Sequence, residues 1–249
     1  PTTTQAQVIP DDPGNFITTW NTENPGTSAN NQITIPGTGA GYNYDLYWVN
    51  VASSTMTGST TGIVTSSHTI TFPEPGIYEV QASGTIPRIY FANGGDKDKI
   101  LTVEQWGDIA WTNMASAFQG AINLRIPATD APDLSGVTDI GQMFRNATSF
   151  NDPINHWDVS NIQSMAAIFT GALSFNQPLD AWDVSKVTNF SQMFRVAESF
   201  NQPIGNWQTS SSTSFAFMFD RALSFNQPLN DWDVSNVTDM RWVFRQAES

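Results

Sequence analysis

Three aspartates occupy the same position in different copies of a 25-residue repeat: Asp158, Asp183 and Asp233. Carboxylates at such positions could bind calcium, act as a glycosidase pair, or accept backbone N–H groups at a turn. A residue that returns with every repeat is more typical of a structural feature or an extended binding surface than of a single catalytic centre. We therefore rank a glycan hydrolase third among the possible functions and predict no catalytic residue.

Other catalytic and metal chemistry is restricted by composition. The chain has no cysteine and two histidines, His68 and His156, which excludes thiolate zinc sites, cysteine nucleophiles and a histidine-rich metal centre within one chain. No phosphate-binding loop, dinucleotide-binding, zinc-protease or serine-hydrolase motif occurs. We predict no metal and no required cofactor. Calcium is an alternative at clustered aspartates, or at the run of residues 96–98, which lacks EF-hand spacing.

The charge balance bears on the partners. Ten Lys and Arg residues against 23 Asp and Glu residues give a formal charge of −13. A chain this acidic would be repelled by nucleic acid and by anionic membrane surfaces, so we expect neither as a partner. No segment is apolar for long enough to span a membrane, so we expect no membrane insertion.

The second half of the chain is an array of repeats from about residue 100 onward. Phenylalanines recur at a constant spacing of 25, and asparagine, proline and tryptophan follow each of them in register. This period lies in the range of leucine-rich repeats, whose units stack and share one core. We predict an asparagine ladder at Asn151, Asn176, Asn201 and Asn226. The tryptophans, which we assign to the core rather than to sugar stacking, are Trp157, Trp182, Trp207 and Trp232.

The pattern within one repeat predicts a short strand and then a helix. Trp157 and Val159 would point inward from the strand and Asp158 outward. Met165, Ile168, Phe169 and Ala172 follow at the spacing of one helix face, and they predict about two helical turns. We therefore predict an α/β solenoid of the leucine-rich-repeat type over residues 100–249. The chain ends where another Phe-Asn-Gln-Pro is due, so we expect the natural polypeptide to continue with further repeats.

Before residue 100 the sequence changes to short β-type segments separated by glycine and proline. We predict strands at 31–35, 42–51, 67–72, 77–83 and 88–91, and a long exposed loop at 52–66. Such spacing is typical of an all-β sandwich. The predicted organisation is an N-terminal lead at 1–15, a sandwich at 16–99 and the solenoid at 100–249.

Both modules resemble known families. The repeat SFNQPLxxWDVSxVTxMxxMF is similar to the surface repeat of BspA-like leucine-rich-repeat proteins. The segments 42–48, 68–72 and 75–80 resemble a PKD-type, Ig-like domain, with Trp48-Val49-Asn50-Val51 where that family has a Trp-Gly-Asp-Gly turn. The resemblance implies a secreted or cell-surface bacterial protein that adheres to host proteins, glycans or other cells.

The residues expected to face outward from the predicted strand are the candidate binding surface. The alternative is that the Asp-Val-Ser segments are structural, with each aspartate accepting backbone hydrogen bonds at a turn. We expect a non-enzymatic extracellular protein that binds glycan or protein. The second hypothesis is a structural subunit of a surface layer or filament, which would contact copies of itself or another surface protein. The candidate residues are His156, Asp158, Ser160, Ala181, Asp183, Ser185, Asn206, Gln208, Ser210, Asp231, Asp233 and Ser235.

Overall fold

The computed structural model describes residues 12–247 and contains seven β-strands and no helix within that range. The N-terminal lead predicted at 1–15 lies largely outside the described residues, and so does the chain end at 248–249. The strands are β1 (Phe16–Asn21), β2 (Gln32–Ile35), β3 (Asn43–Asn50), β4 (Ser53–Ile63), β5 (His68–Thr71), β6 (Ile77–Thr85) and β7 (Ile100–Gln105).

The N-terminal region is an antiparallel β domain. Five strands form one sheet in the order β4-β3-β6-β1-β7, and β2 pairs with β5 in a second, two-stranded sheet. Buried and less buried side chains alternate along β3, so that Tyr44, Leu46 and Trp48 enter the core. Phe72 and Tyr78 stack there at 3.9 Å between ring centroids.

Four predicted strands are confirmed to within about two residues, as β2, β3, β5 and β6. The prediction of a loop at 52–66 was wrong, because residues 53–63 pair with β3 as a long strand. Gly58 makes room there for the Trp48 ring, since a Cβ at this glycine would lie 2.3 Å from that ring. The strand predicted at 88–91 is absent, and the strand at 16–21 was missed.

The repeat array stacks one coil per repeat, and the described coils contain no helix. Single parallel β-bridges join Asp139 to Ser164, Ser164 to Asn189, Asn189 to Ser214 and Ser214 to Asp239. The prediction of a helix over Met165–Ala172 was therefore wrong, and the α/β class with it.

Hydrogen bonds explain why no helix forms. In residues 190–197, the amides of Gln192 and Phe194 donate to carbonyls of the next coil at 2.8 and 2.9 Å. The amides of Met193 and Arg195 donate three residues back within their own coil. Alternate amides are therefore committed to the neighbouring coil and cannot form the successive bonds of a helix.

Backbone conformation excludes the helix as well. Gln192 and Val196 have positive φ angles of 60° and 58°, and the same two positions are left-handed in the other coils. Left-handed residues four apart interrupt a right-handed helix in every turn.

The strand predicted through Trp157 and Val159 was also wrong, because this segment runs through turns. Its alternation of burial is nevertheless present, with Asp158 exposed between two buried side chains.

Aromatic rings form continuous columns through the array. Phe169, Phe194 and Phe219 stack at 5.7 Å per coil, and Phe194 also stacks on Phe200 of its own coil at 3.8 Å. The four tryptophans of the repeat lie in or beside the same core, and Trp157, Trp182 and Trp207 are 2–3% exposed. Each ring after the first donates its indole N–H to a carbonyl of the preceding coil, at 2.9–3.0 Å.

The asparagines form a second column of contacts, near the surface. The Oδ1 atoms of Asn151, Asn176 and Asn201 each accept the backbone N–H of the asparagine in the next coil at 2.9 Å. The glutamine that follows in that next coil donates to the same oxygen at 3.0–3.1 Å. Each asparagine thus binds two donors of the coil after it, which fixes the register between coils.

The β domain closes the first end of the array. Strand β7 pairs with β1 on one side. On its other side, the Val103 amide donates to the Arg125 carbonyl, and the Leu101 carbonyl accepts the Arg125 amide. The Phe91 amide likewise donates to Ala117, and Phe16 packs on Trp106 at 5.6 Å. One continuous apolar core therefore extends from the sheets into the coils. The boundary predicted between residues 99 and 100 lies at the beginning of β7.

Candidate binding surface

The predicted binding residues lie along one corner of the stacked coils, which we call the Asp-Val-Ser corner (residues 155–160, 180–185, 205–210 and 230–235). Of the candidates, Ser160 and Ser185 are partly buried and the others are exposed. Because the coils repeat every 25 residues, equivalent side chains form parallel columns across this corner.

Each aspartate of the corner closes a small turn. The Oδ1 atoms of Asp158, Asp183 and Asp233 accept the backbone N–H of the serine two residues later at 2.9–3.0 Å. Asp133 makes the same contact one coil earlier. The Asp-x-Ser spacing thus has a structural role, and it also holds each carboxylate in a fixed position at the surface.

The electrostatics keep these groups ionised. Hydrogen bonds from Ser160 lower the pKa of Asp158, and those from Ser185 lower the pKa of Asp183, with a smaller contribution to each from Lys186. The Ser235 contacts lower the pKa of Asp233 in the same way. The corner therefore presents a column of carboxylates that are negative at neutral pH.

Other corner residues are tied to neighbouring coils. The His156 ring nitrogen Nε2 lies 3.1 Å from the Asp130 carbonyl oxygen, and Asn206 donates through Nδ2 to the Asp180 carbonyl at 2.8 Å. Lys186 donates to Asn161 at 2.8 Å beside the aspartates. These contacts hold polar side chains in place along the surface, so that little ordering would be needed on binding.

One coil departs from the pattern, with Gln208 in place of the aspartate. Its Thr209 and Ser212 occupy positions that are apolar elsewhere, and both are buried. Thr209 donates to the Asp233 carbonyl at 3.0 Å and Ser212 to the Val187 carbonyl at 3.2 Å. Hydrogen bonds to both adjacent coils therefore satisfy the buried hydroxyls of this coil.

Sequence reasoning missed an arginine column on the side of the coils where the left-handed residues lie. Arg195 and Arg245 both bind Asp220, whose side chain is fully buried, at 2.8–3.0 Å. Burial raises the pKa of Asp220, but the two arginines outweigh it and lower that pKa overall. A signal was present in the sequence, since Met-Phe-Arg recurs at 143–145 and 193–195.

The run at 96–98 has an internal role instead of an open cation site. Asp96 is buried and accepts the amides of Thr27, Ser28 and Thr34 at 2.7–3.0 Å. The Lys99 ammonium lies nearby and donates to three carbonyl oxygens and to the Ser28 hydroxyl, at 2.8–3.1 Å. The protein thus supplies its own cation to this cluster of oxygens.

Across residues 12–247, no group of three or more His, Asp or Glu side chains is arranged to hold a metal ion. The same range contains no helix that is long and apolar enough to cross a bilayer.

Comparison with protein families matches residues 112–215 and 179–249 to the family described as "Mycoplasma protein of unknown function, DUF285". The chain belongs to this family. The DUF285 match covers the stacked coils and begins just after the β domain, whose strands end at Gln105. Searches of curated proteins and of solved structures found no significant match. The array of coils with its aromatic core thus consists of DUF285 repeats, which are repeats of a bacterial protein family.

Proposed function

We propose that this DUF285 protein is a non-enzymatic extracellular surface protein whose Asp-Val-Ser corner binds a glycan or a protein of a host or neighbouring cell. The observation that carries the proposal is the exposed column of carboxylates, which are held in identical turns in three of the four coils of the corner. An extended, regularly spaced set of hydrogen-bonding groups suits a polymer or a protein surface better than a small substrate.

The lowered pKa values of the corner aspartates favour ligand binding over glycan hydrolysis. A glycosidase needs one carboxylic acid whose pKa is raised, so that it can protonate the leaving group. The pKa values of Asp158, Asp183 and Asp233 are all lowered by their serine contacts. These aspartates are therefore suited to permanent negative charge and to accepting hydrogen bonds.

The proposed secreted or surface location is supported by two resemblances in the sequence. The repeat is similar to that of BspA-like proteins, and the β domain is similar to PKD-type, Ig-like domains; both point to a secreted or surface location. The two packed sheets of the N-terminal domain are compatible with the second resemblance. The described coils therefore form a BspA-like repeat that lacks the helix expected of leucine-rich repeats.

The test is a screen against immobilised glycans and extracellular-matrix proteins, in which the wild-type protein is compared with an Asp158→Asn/Asp183→Asn/Asp233→Asn variant. Asparagine keeps an oxygen that can accept the serine N–H, so the turns are preserved while three charges are lost. We expect the variant to lose at least tenfold in affinity for any ligand that the wild-type protein binds.

A matched control removes the same three charges from the β domain, as Glu23→Gln/Glu74→Gln/Glu104→Gln; all three side chains are exposed. Equal losses in the two variants would point to net charge instead of the corner. Unchanged binding by the folded aspartate variant would reject the corner as the binding surface.

A further inference from the structure

The long strand β4 is the outer edge of the five-stranded sheet. It pairs with β3 on one side, and its other side carries the N–H and C=O groups that an edge strand leaves unpaired. Within residues 12–247, no backbone hydrogen bond connects β4 to any element other than β3. Among these described residues, the edge is therefore open along its length.

Most natural edges are protected by charge, proline or short length. β4 has 11 residues, seven of them serine or threonine, and it contains no charged residue and no proline. The opposite edge of the sheet is not open, because the backbone of Arg125 in the first coils is hydrogen-bonded to the backbone of β7. One edge of the sheet is thus covered by the first coils, and the other has no backbone partner among the residues that the structure describes.

The middle of β4 is regular. Register shifts interrupt its pairing near both ends, but Thr57, Gly58, Ser59 and Thr60 pair one to one with β3. Gly58 and Thr60 lie on the core face, opposite the buried Trp48 and Leu46, so Thr57 and Ser59 lie on the other face. This segment provides a regular, uncharged template for one more antiparallel strand.

We propose that β4 pairs with β4 of a second copy of this chain, in antiparallel orientation, so that two five-stranded sheets join into one of ten strands. Antiparallel pairing of a strand with itself has two-fold symmetry, and the two copies satisfy each other's free groups through the same surface.

Charge and side-chain chemistry favour this partner. The protein carries a net charge of −13, which opposes self-association through most of its surface. The β4 edge is uncharged, so pairing two copies brings no like charges face to face across the new ladder. Threonine and serine side chains across an antiparallel pair also hydrogen-bond to one another.

The first test is sedimentation equilibrium of the whole protein. We expect a dimer with a dissociation constant on the order of micromolar, as for a small interface. Thr57→Lys/Ser59→Lys places four ammonium groups across the paired edges and should weaken the dimer at least tenfold. Ser149→Lys/Ser224→Lys adds the same charge at exposed positions of the array and should leave it unchanged.

The second test uses the absence of cysteine from the chain. Single cysteines introduced in turn at Thr57, Ser59 and Thr61 should give a disulfide-linked dimer at the position nearest the two-fold axis. Ser149→Cys, which is exposed on the array, should remain a monomer under the same oxidation. Circular dichroism on each variant confirms that the fold is retained.

A protein that stays monomeric at hundreds of micromolar would overturn the proposal, even if β4 were found to pair with a strand of a different protein. A dimer that survives the double lysine substitution, or that cross-links equally well through position 149, would overturn it too.

Discussion

Replacing Phe194 by alanine tests the idea that the coils depend on a shared aromatic column. This ring is fully buried and stacks on Phe169 and Phe219 of the adjacent coils and on Phe200 of its own. Truncation of a buried phenylalanine in a core costs about 3–5 kcal/mol of unfolding free energy. We expect Phe194→Ala to fall in that range, since flanking coils held by ladders on both sides have little freedom to collapse into the cavity.

Phe244 provides a matched control in the same column. It is 53% exposed and stacks on one ring, that of Phe219, at 5.4 Å. Because full burial of a phenylalanine contributes about 1.5–3 kcal/mol, the half-exposed ring should contribute about 1 kcal/mol. The same chemical change should therefore cost about 2–4 kcal/mol more at Phe194 than at Phe244.

The assay is equilibrium unfolding in urea, followed by tryptophan fluorescence and by circular dichroism. Coincident transitions from the two probes license comparison of the free energies. Equal costs for the two substitutions would contradict a shared aromatic column, because the position of a ring in the stack would then have no bearing on stability.

Three further substitutions probe other contacts, each by the same unfolding assay. Asp220→Asn should cost about 2 kcal/mol at neutral pH, less than for a fully buried ion pair because both arginine partners are partly exposed. Since the folded-state pKa of Asp220 is lowered, its carboxylate stabilises the fold fully above about pH 4. The difference in unfolding free energy between variant and wild type should therefore shrink as the pH falls further. A difference that is independent of pH would contradict this. Asn176→Ala should cost about 1–2 kcal/mol, because two donors of the next coil lose their acceptor; a neutral result would show that the ladder adds nothing. Val196→Asn should stabilise the protein by about 0.5–1 kcal/mol, because a β-branched residue is strained at a φ of 58°. Asn146 already occupies the equivalent left-handed position. As a control, the same change at the buried Val187 should destabilise the protein.

The sequence predicted the stacking because periodicity alone encodes it. Phenylalanines and tryptophans at a step of 25 identify which side chains share the core, whatever the backbone does between them. The backbone itself was mispredicted, because apolar residues at 165, 168, 169 and 172 suit a helix face and the observed turns equally well. The first left-handed position of each coil is not marked by glycine, since Ala167, Gln192 and Phe217 adopt that conformation under the constraint of the neighbouring coils. Glycine marks the second position in two coils, at Gly120 and Gly171.

The β4 strand was hidden for a related reason. Serine, threonine and glycine are typical of loops, and residues 53–63 gain their strand conformation from pairing with β3. At the candidate site, burial alternating with exposure was predictable from Trp157 and Val159. The turn at Asp158 was considered as an alternative, but a single sequence could not decide between a strand and a turn.

Each repeat forms one coil in direct register with the next. Because the chain has no cysteine, paired cysteines at Ser164 and Asn189, which share a parallel β-bridge, test it directly. Dibromobimane, which becomes fluorescent when it bridges two close thiols, should cross-link this pair rapidly. It should leave Ser164→Cys/Ser214→Cys unbridged, since those residues lie two coils apart. Equal reaction of the two pairs, or none in the adjacent pair, would contradict the stacked array.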